Sequence, residues 1–239
     1  MSVTPYGTGD NKKDEVRRMF DSIAGSYDFL NHLLSLNIDR IWRRRLIKSL
    51  AEVKPGKILD VATGTADLAI AALKLDPHSI TGIDLAPGMI EVGRRKIMEL
   101  GSQDIVTLLE GDSEKLPFPD GEFDAVMVAF GVRNFEDPLK GLKEMSRVTR
   151  PGGKVCILEF TMPESYPVRP LYKFYFKKVL PFIGRIISKD FSAYTYLPES
   201  VEAFAQRDEF LRLMKQAGFG GVGYNIQSFG IAAIYFGYR

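Results

Sequence analysis

The sequence has almost no cysteine or histidine. Its single cysteine, Cys156, has no partner for an internal disulfide, and two histidines with one cysteine are too few for the usual zinc ligand sets. A chain without disulfides fits a reducing compartment. An excess of one charge is also lacking: 32 Lys and Arg stand against 30 Asp and Glu, a formal +2. Any attraction to nucleic acid or anionic lipid must therefore come from local clusters. No uncharged apolar run approaches the roughly 18 residues that a membrane-crossing helix needs, and residues 1–13 are polar and Gly-rich, without the apolar segment of a secretion signal. There is no internal repeat and no low-complexity tract. What remains is 239 residues, 45% hydrophobic and 26% charged, which suits one large self-folding domain or one domain with an added lobe.

Along the chain, residues 14–50 carry helical spacing of apolar side chains, with Met19, Phe20 and Ile23 followed by Leu33, Leu34, Leu36, Ile41, Leu46 and Ile47. After the Lys54-Pro55-Gly56 break the pattern alternates. Apolar strand-like runs at 57–62, 79–84, 105–110, 123–130 and 154–160 are separated by helical stretches or turn residues. Such alternation predicts a doubly wound, mostly parallel α/β sheet covered on both faces. Residues 163–200 interrupt the rhythm with nine aromatics and six basic side chains against three acids, which marks an aromatic and basic insertion. A helix near 208–217 and two closely spaced runs, 222–227 and 231–235, then suit an antiparallel hairpin at the sheet edge.

Ligands of open α/β sheets bind beyond the carboxyl ends of the strands, where strand order reverses. The first such loop, Asp60-Val61-Ala62-Thr63-Gly64-Thr65-Ala66-Asp67, has one turn glycine and alanines at 66 and 69, where the dinucleotide fingerprint needs glycine. A diphosphate is therefore not expected. Asp84 closes the second strand, twenty residues after Gly64, where a carboxylate accepts from ribose hydroxyls. Gly111-Asp112-Ser113 ends the third strand and can border a base. A ribose without a diphosphate points to S-adenosylmethionine (SAM).

The sequence resembles, over nearly its whole length, the quinone-biosynthesis C-methyltransferases that act on demethylmenaquinone and polyprenyl-benzoquinols. The matching stretches include residues 19–24, Ser26-Tyr27-Asp28, Asn31-His32, Trp42-Arg43, 59–67, 114–119, Phe130-Gly131-Val132-Arg133-Asn134, 147–153, Leu158-Glu159-Phe160, Tyr194-Thr195-Tyr196-Leu197-Pro198 and Ala217-Gly218-Phe219. The resemblance implies a Rossmann-like, class I SAM-dependent methyltransferase with a seven-stranded sheet, N-terminal helices as a cap, and the insertion facing substrate and membrane. It implies SAM as methyl donor, with no metal, held by Thr63, Gly64, Asp84, Asp112 and Ser113. One departure is Ala66, where the family has glycine.

A sulfonium methyl is already an activated electrophile, so the enzyme must supply alignment, dryness and an electron-rich carbon, which a reduced quinol offers and an oxidised quinone does not. Arg133, Asn134 and Tyr27 are the expected catalytic residues, Arg133 stabilising charge on a quinol oxygen. Its bland alternative is a surface salt bridge to Glu136 or Asp137. Asp28 and His32, four residues apart, share a helix face and suit an acid-base pair. His78 reads as a solvated loop residue and Cys156 as a packed small hydrophobe. The expected partners are a polyprenyl quinol and, transiently, a membrane surface, through residues 171–187 and a basic cluster of Arg40, Arg43, Arg44, Arg45 and Lys48 near Trp42. No nucleic acid is expected, a homodimer stays open, and the expected location is cytoplasmic with peripheral contact at the inner face of the cell membrane. The competing readings are a soluble or sterol-like acceptor, an RNA-binding protein, and a noncatalytic SAM-binding module.

Overall fold

Six strands that run one way and one, β7, that runs against them form a sheet of order β3-β2-β1-β4-β5-β7-β6 in a computed structural model that describes residues 3–179, 190 and 192–239, apart from the side chains of Leu34 and Lys177. The strands are β1 (Lys57–Val61), β2 (Ser79–Asp84), β3 (Val106–Glu110), β4 (Phe123–Ala129), β5 (Thr149–Phe160), β6 (Gly220–Gln227) and β7 (Ala232–Tyr238). The described helices are α1 (Lys12–Ile23), α2 (Tyr27–Leu34), α3 (Ile38–Leu50), α4 (Asp67–Ala72), α5 (Pro87–Glu99), α6 (Pro138–Val148), α7 (Val168–Phe174), α8 (Ser192–Ala203) and α9 (Asp208–Gln216). The chain steps outward from β1 to β2 and β3, then returns to place β4 on the other side of β1. That reversal opens a crevice between the ends of β1 and β4.

Both faces of the central strands are buried, which is why they read as unbroken apolar runs rather than alternating ones. Ile58, Met127, Cys156 and Leu158 pack on one face against Trp42, Leu46 and Leu50 of α3. Leu59, Val126, Val128, Val155 and Ile157 pack on the other against Leu142 and Met145 of α6 and Phe210 of α9. Each such fully buried aliphatic side chain contributes about 1.5–3 kcal/mol, so α3 is held on the sheet as firmly as the crossover helices. The 14–50 stretch therefore divides. While α3 covers the sheet, Met19, Ile23 and Leu30 of α1 and α2 pack with Tyr172, Tyr194 and Tyr196 of the insertion in a third cluster.

One boundary differs from the sequence expectation. The Pro151-Gly152-Gly153 turn lies inside β5, which starts at Thr149; Phe123 pairs with Thr149 but Ala125 with Lys154, so the extra residues form a bulge. The C-terminal hairpin is antiparallel and lies at the sheet edge as expected, with β7 beside β5 and β6 outermost. Ala232 to Tyr235 are all buried, so β7 needs cover on both faces, whereas most of β6 is open to solvent. Of the expected insertion, Phe182, Arg185 and Phe191 lie outside the described residues.

Candidate functional site

At the crevice, the Asp84 carboxylate ends β2 and accepts the Gly64 N–H at 2.8 Å and the Ala86 N–H at 2.9 Å. These bonds fix the carboxylate across the β1 loop and leave lone pairs for two vicinal hydroxyls. Burial pushes its carboxyl above the usual range although the N–H groups of Ala86, Gly64 and Leu85 favour the charged form. Gly64 has φ +55°, a left-handed conformation that suits glycine, and a Cβ there would project into open space. Gly64, Asp84, Gly111, Ser113, Ala129, Gly131 and Asn134 line one narrow cavity of about 70 Å³ at this point, roofed by Lys13, Val16, Arg17 and Phe20 of α1. A carboxylate at the strand end and an unobstructed glycine loop fit an adenosyl ligand, and the loop lacks the further glycines of a diphosphate cradle.

Two of the expected cofactor residues point elsewhere. The Thr63 hydroxyl donates to Asp60 Oδ2 at 2.6 Å beneath the loop, and Thr63 is absent from the cavity wall. Asp60, 1% exposed, has its carboxyl pushed up to about 7, chiefly by burial. Asp112 turns to the Lys13 ammonium at 2.7 Å, so α1 is tied to the β3 loop, and Gly111, Ser113 and Glu114 of that loop line the cavity while Asp112 does not. At Ala66 the backbone keeps the left-handed conformation at φ +67°, which costs an alanine about 1–2 kcal/mol. Its N–H donates to Thr63 O at 3.0 Å, so that amide closes the loop and does not face the ligand.

A second cavity of about 400 Å³ adjoins the first, and Phe20, Tyr27 and Phe130 belong to both walls. It is built from α1, α2, α3, α7 and α8, with Trp42, Phe160, Tyr172, Phe176, Tyr194 and Tyr196 supplying aromatic surface. Phe130 and Phe160 stack at 4.4 Å as a flat floor. Arg133 lines this cavity and Asn134 the first one. The surface salt bridge considered for Arg133 is not formed: its Nη1 donates to Glu159 Oε1 at 2.8 Å, with Arg133 8% and Glu159 0% exposed. Glu159 also accepts the backbone N–H groups of Arg133 and Phe160. Asn134 Nδ2 donates to Phe130 O at 3.3 Å, and the Tyr196 hydroxyl donates to Asn134 Oδ1 at 3.2 Å. Tyr27 stands where the cavities meet; burial raises its phenol, opposed by the guanidinium charges of Arg133 and Arg43.

The Asp28–His32 pair does not form. Asp28 accepts from the Thr65 hydroxyl and from Lys96 at 2.8 Å, while His32 Nδ1 meets Asp39 Oδ2 at 2.8 Å. A helical offset of four makes a pair feasible, but α3 and α4 present closer partners. Arg43, expected on the surface with its basic neighbours, is 8% exposed and bonded to Asp39, with Asp67 3.6 Å away. Arg40, Arg44, Arg45 and Lys48 do remain exposed. His32, Asp39 and Asp67 offer ligand atoms within 4.8 Å of one another, yet Arg43 and Lys96 already neutralise those carboxylates. His78 is exposed, and Cys156 is fully buried with its thiol pushed up to about 11 by burial.

Glu159, Asp39 and Phe160 were not expected at a site, and Arg43 was expected in the basic cluster that meets a membrane. For Glu159 a signal was present, because a carboxylate in the buried run Cys156-Ile157-Leu158-Glu159-Phe160 requires a partner.

Comparison with known proteins bears on this pair of cavities. The ubiE/COQ5 methyltransferase family matches residues 8–239. A demethylmenaquinone methyltransferase of Bacteroides fragilis is 44% identical over 98% of this chain and 96% of its own. A ubiquinone/menaquinone biosynthesis C-methyltransferase UbiE of Geobacter sp. is 48% identical over 95% and 97%. Among solved structures, a SAM-dependent methyltransferase of Thermotoga maritima is similar in fold, with a TM-score of 0.63 at 18% identity over 93% of this chain and 98% of that one. The [4+2]-cyclase SpnF has the same fold, with a TM-score of 0.63 at 16% identity over 96% and 97%.

Proposed function

This chain belongs to the ubiE/COQ5 methyltransferase family, and on that premise we propose that it methylates a ring carbon of demethylmenaquinol to give menaquinol. The observation that carries the reading is the shared wall of Phe20, Tyr27 and Phe130, which joins a carboxylate-ended glycine loop to an aromatic cavity large enough for a bicyclic ring. When bound, SAM supplies the methyl group as an electrophile. Asp84 holds the ribose hydroxyls, Gly64 gives close backbone approach, and Gly111 and Ser113 border the base. Arg133 favours the oxyanion of a ring hydroxyl, and Tyr27 and Asn134 orient ring and donor at the junction. Loss of the hydroxyl proton raises electron density on the adjacent carbon; that carbon would bond the methyl as the methyl–sulfur bond breaks, leaving S-adenosylhomocysteine, and its own hydrogen would leave as a proton to restore the aromatic quinol, one proton being released overall, while the apolar walls exclude water from the methyl.

The test is methyl transfer from labelled SAM to a short-tailed demethylmenaquinol, run beside the oxidised quinone, a reduced benzoquinol and RNA. Label in the naphthoquinol product but not in the quinone or RNA is expected. Equal labelling of quinone and quinol, or none in either, overturns the reading.

The tail and the membrane belong to the same proposal. Leu36 and Leu171 line the second cavity and are 78% and 65% exposed, and Phe174, one turn beyond Leu171, is 63% exposed. No described helix is long and apolar enough to cross a membrane. We infer that the prenyl tail leaves between these residues into a lipid surface, with Lys173, Lys178, Arg40 and Arg44 meeting anionic headgroups. Co-sedimentation with anionic liposomes at low salt tests it; absence of binding removes it.

A further inference from the structure

The second cavity has a feature that an apolar pocket for a greasy ligand does not need. Two guanidinium groups, not one, are built into its wall. Arg133 stands over the Phe160 ring at 5.5 Å, and Arg43 stands over the Phe130 ring at 5.9 Å. Because those two rings stack on each other, both cations border one aromatic pair in the wall of the same cavity. Each is 8% exposed and each is clamped by buried carboxylate, Arg133 by Glu159 and Arg43 by Asp39, with Asp67 also near. Each Nε has no hydrogen-bond partner among the described residues. Taking a guanidinium out of water costs several kcal/mol even when it is paired, so a merely greasy wall would be more stable without either. The Asp67 contact ties α3 to α4 and the Asp39 bond lies within α3, but neither accounts for the place of Arg43 in the cavity wall.

We propose that Arg43 is a second acceptor-binding residue, which hydrogen-bonds the ring oxygen remote from the methylated carbon while Arg133 serves the oxygen beside it. This rests on the quinol reading above. A 1,4-dihydroxylated ring carries two oxygens, and two fixed cations in the wall of one cavity select that pattern over a monophenol. The carboxylates keep both guanidiniums from swinging away, so the ring is held in one orientation and one carbon faces the donor.

The test uses Trp42, the only tryptophan of the chain, which lies in this cavity wall and contacts both Phe130 and Phe160. Its quenching reports acceptor binding without turnover. The full-length protein is titrated anaerobically with a short-tailed 1,4-naphthoquinol and with the analogue that lacks the remote hydroxyl. A charge-assisted hydrogen bond predicts about tenfold or more weaker binding of the analogue to the wild type. Arg43→Gln weakens the quinol by a similar factor and leaves the analogue nearly unchanged, so the two deletions are not additive. Equal weakening of both ligands by Arg43→Gln, which a purely structural role gives, overturns the proposal, as does equal binding of the two ligands by the wild type. The latter comparison needs no variant and stands even if Arg43→Gln fails to fold; Arg43→Lys, which keeps the charge, is expected to lie between. Methyl transfer is measured alongside: selective binding without transfer counts against the methylation reading and leaves the role of Arg43 intact.

Discussion

Arg133 and Glu159 face each other at 2.8 Å inside a wall where neither is more than 8% exposed. Glu159 holds the guanidinium in that wall, and in the proposed reaction Arg133 is the group that meets the ring oxygen.

Removing one partner leaves the other charged and unpaired. Arg133→Met is expected to destabilise the fold by about 3–5 kcal/mol, and the double change Arg133→Met with Glu159→Leu to recover part of that loss. Turnover falls at least about tenfold in both, while SAM affinity stays within about threefold of wild type. Urea unfolding, calorimetric titration of SAM and steady-state kinetics separate these effects. A parallel loss of SAM affinity contradicts the division of labour between Arg133 and Asp84.

Asp84 and Thr63 are expected to part company. Asp84→Ala removes the acceptor for ribose hydroxyls and for the Gly64 N–H, and SAM binding weakens by about 10–100-fold. Thr63→Val loses a bond to Asp60 rather than to ligand, so it lowers stability by about 1–3 kcal/mol with a smaller effect on affinity. Isothermal titration and thermal unfolding of both variants give the comparison.

Asp60 makes stability depend on pH. Below about pH 4 its carboxyl is protonated both folded and unfolded. Between the ordinary value of 3.8 and about 7 the unfolded chain releases the proton while the folded one keeps it, so stability falls as pH rises and levels off above about 7. The upper bound of that loss is about 4 kcal/mol. Asp60→Asn removes the ionisation, so the variant gains on the wild type between pH 5 and pH 8.5. Melting temperatures measured across that range check it, and an unchanged gap counts against the buried carboxyl as the cause.

The Lys13–Asp112 pair fastens α1 over the cofactor cavity. Both side chains are partly open to solvent, so the contact is worth about 0.2–1 kcal/mol and is weakened by salt. Lys13→Ala should speed SAM dissociation by about two- to fivefold in stopped-flow measurements at low salt, with a smaller difference at high salt.

The alternation of strands and helices, the loop around Gly64 and the place of Asp84 at the end of β2 were legible in the sequence because they depend on local signals: period, turn residues and a carboxylate at a strand end. The Phe130-to-Asn134 segment was legible as a site for the same reason, since it follows β4 at the strand reversal. Thr63 and Asp112 lie on strand-end loops, but Thr63 turns down to Asp60 three residues before it, and Asp112 turns to Lys13, a partner far back in the chain.

By itself, the sequence determined a mostly parallel sheet with a glycine turn after its first strand and a carboxylate at the end of its second, because backbone period and turn chemistry act within a few residues. Only the tertiary structure decided that Arg43 leaves a basic helix face for the interior, that Glu159 meets Arg133, and that α1 and α2 complete both cavities. Those outcomes depend on which buried charges find each other across tens of residues, and no local pattern encodes such a choice.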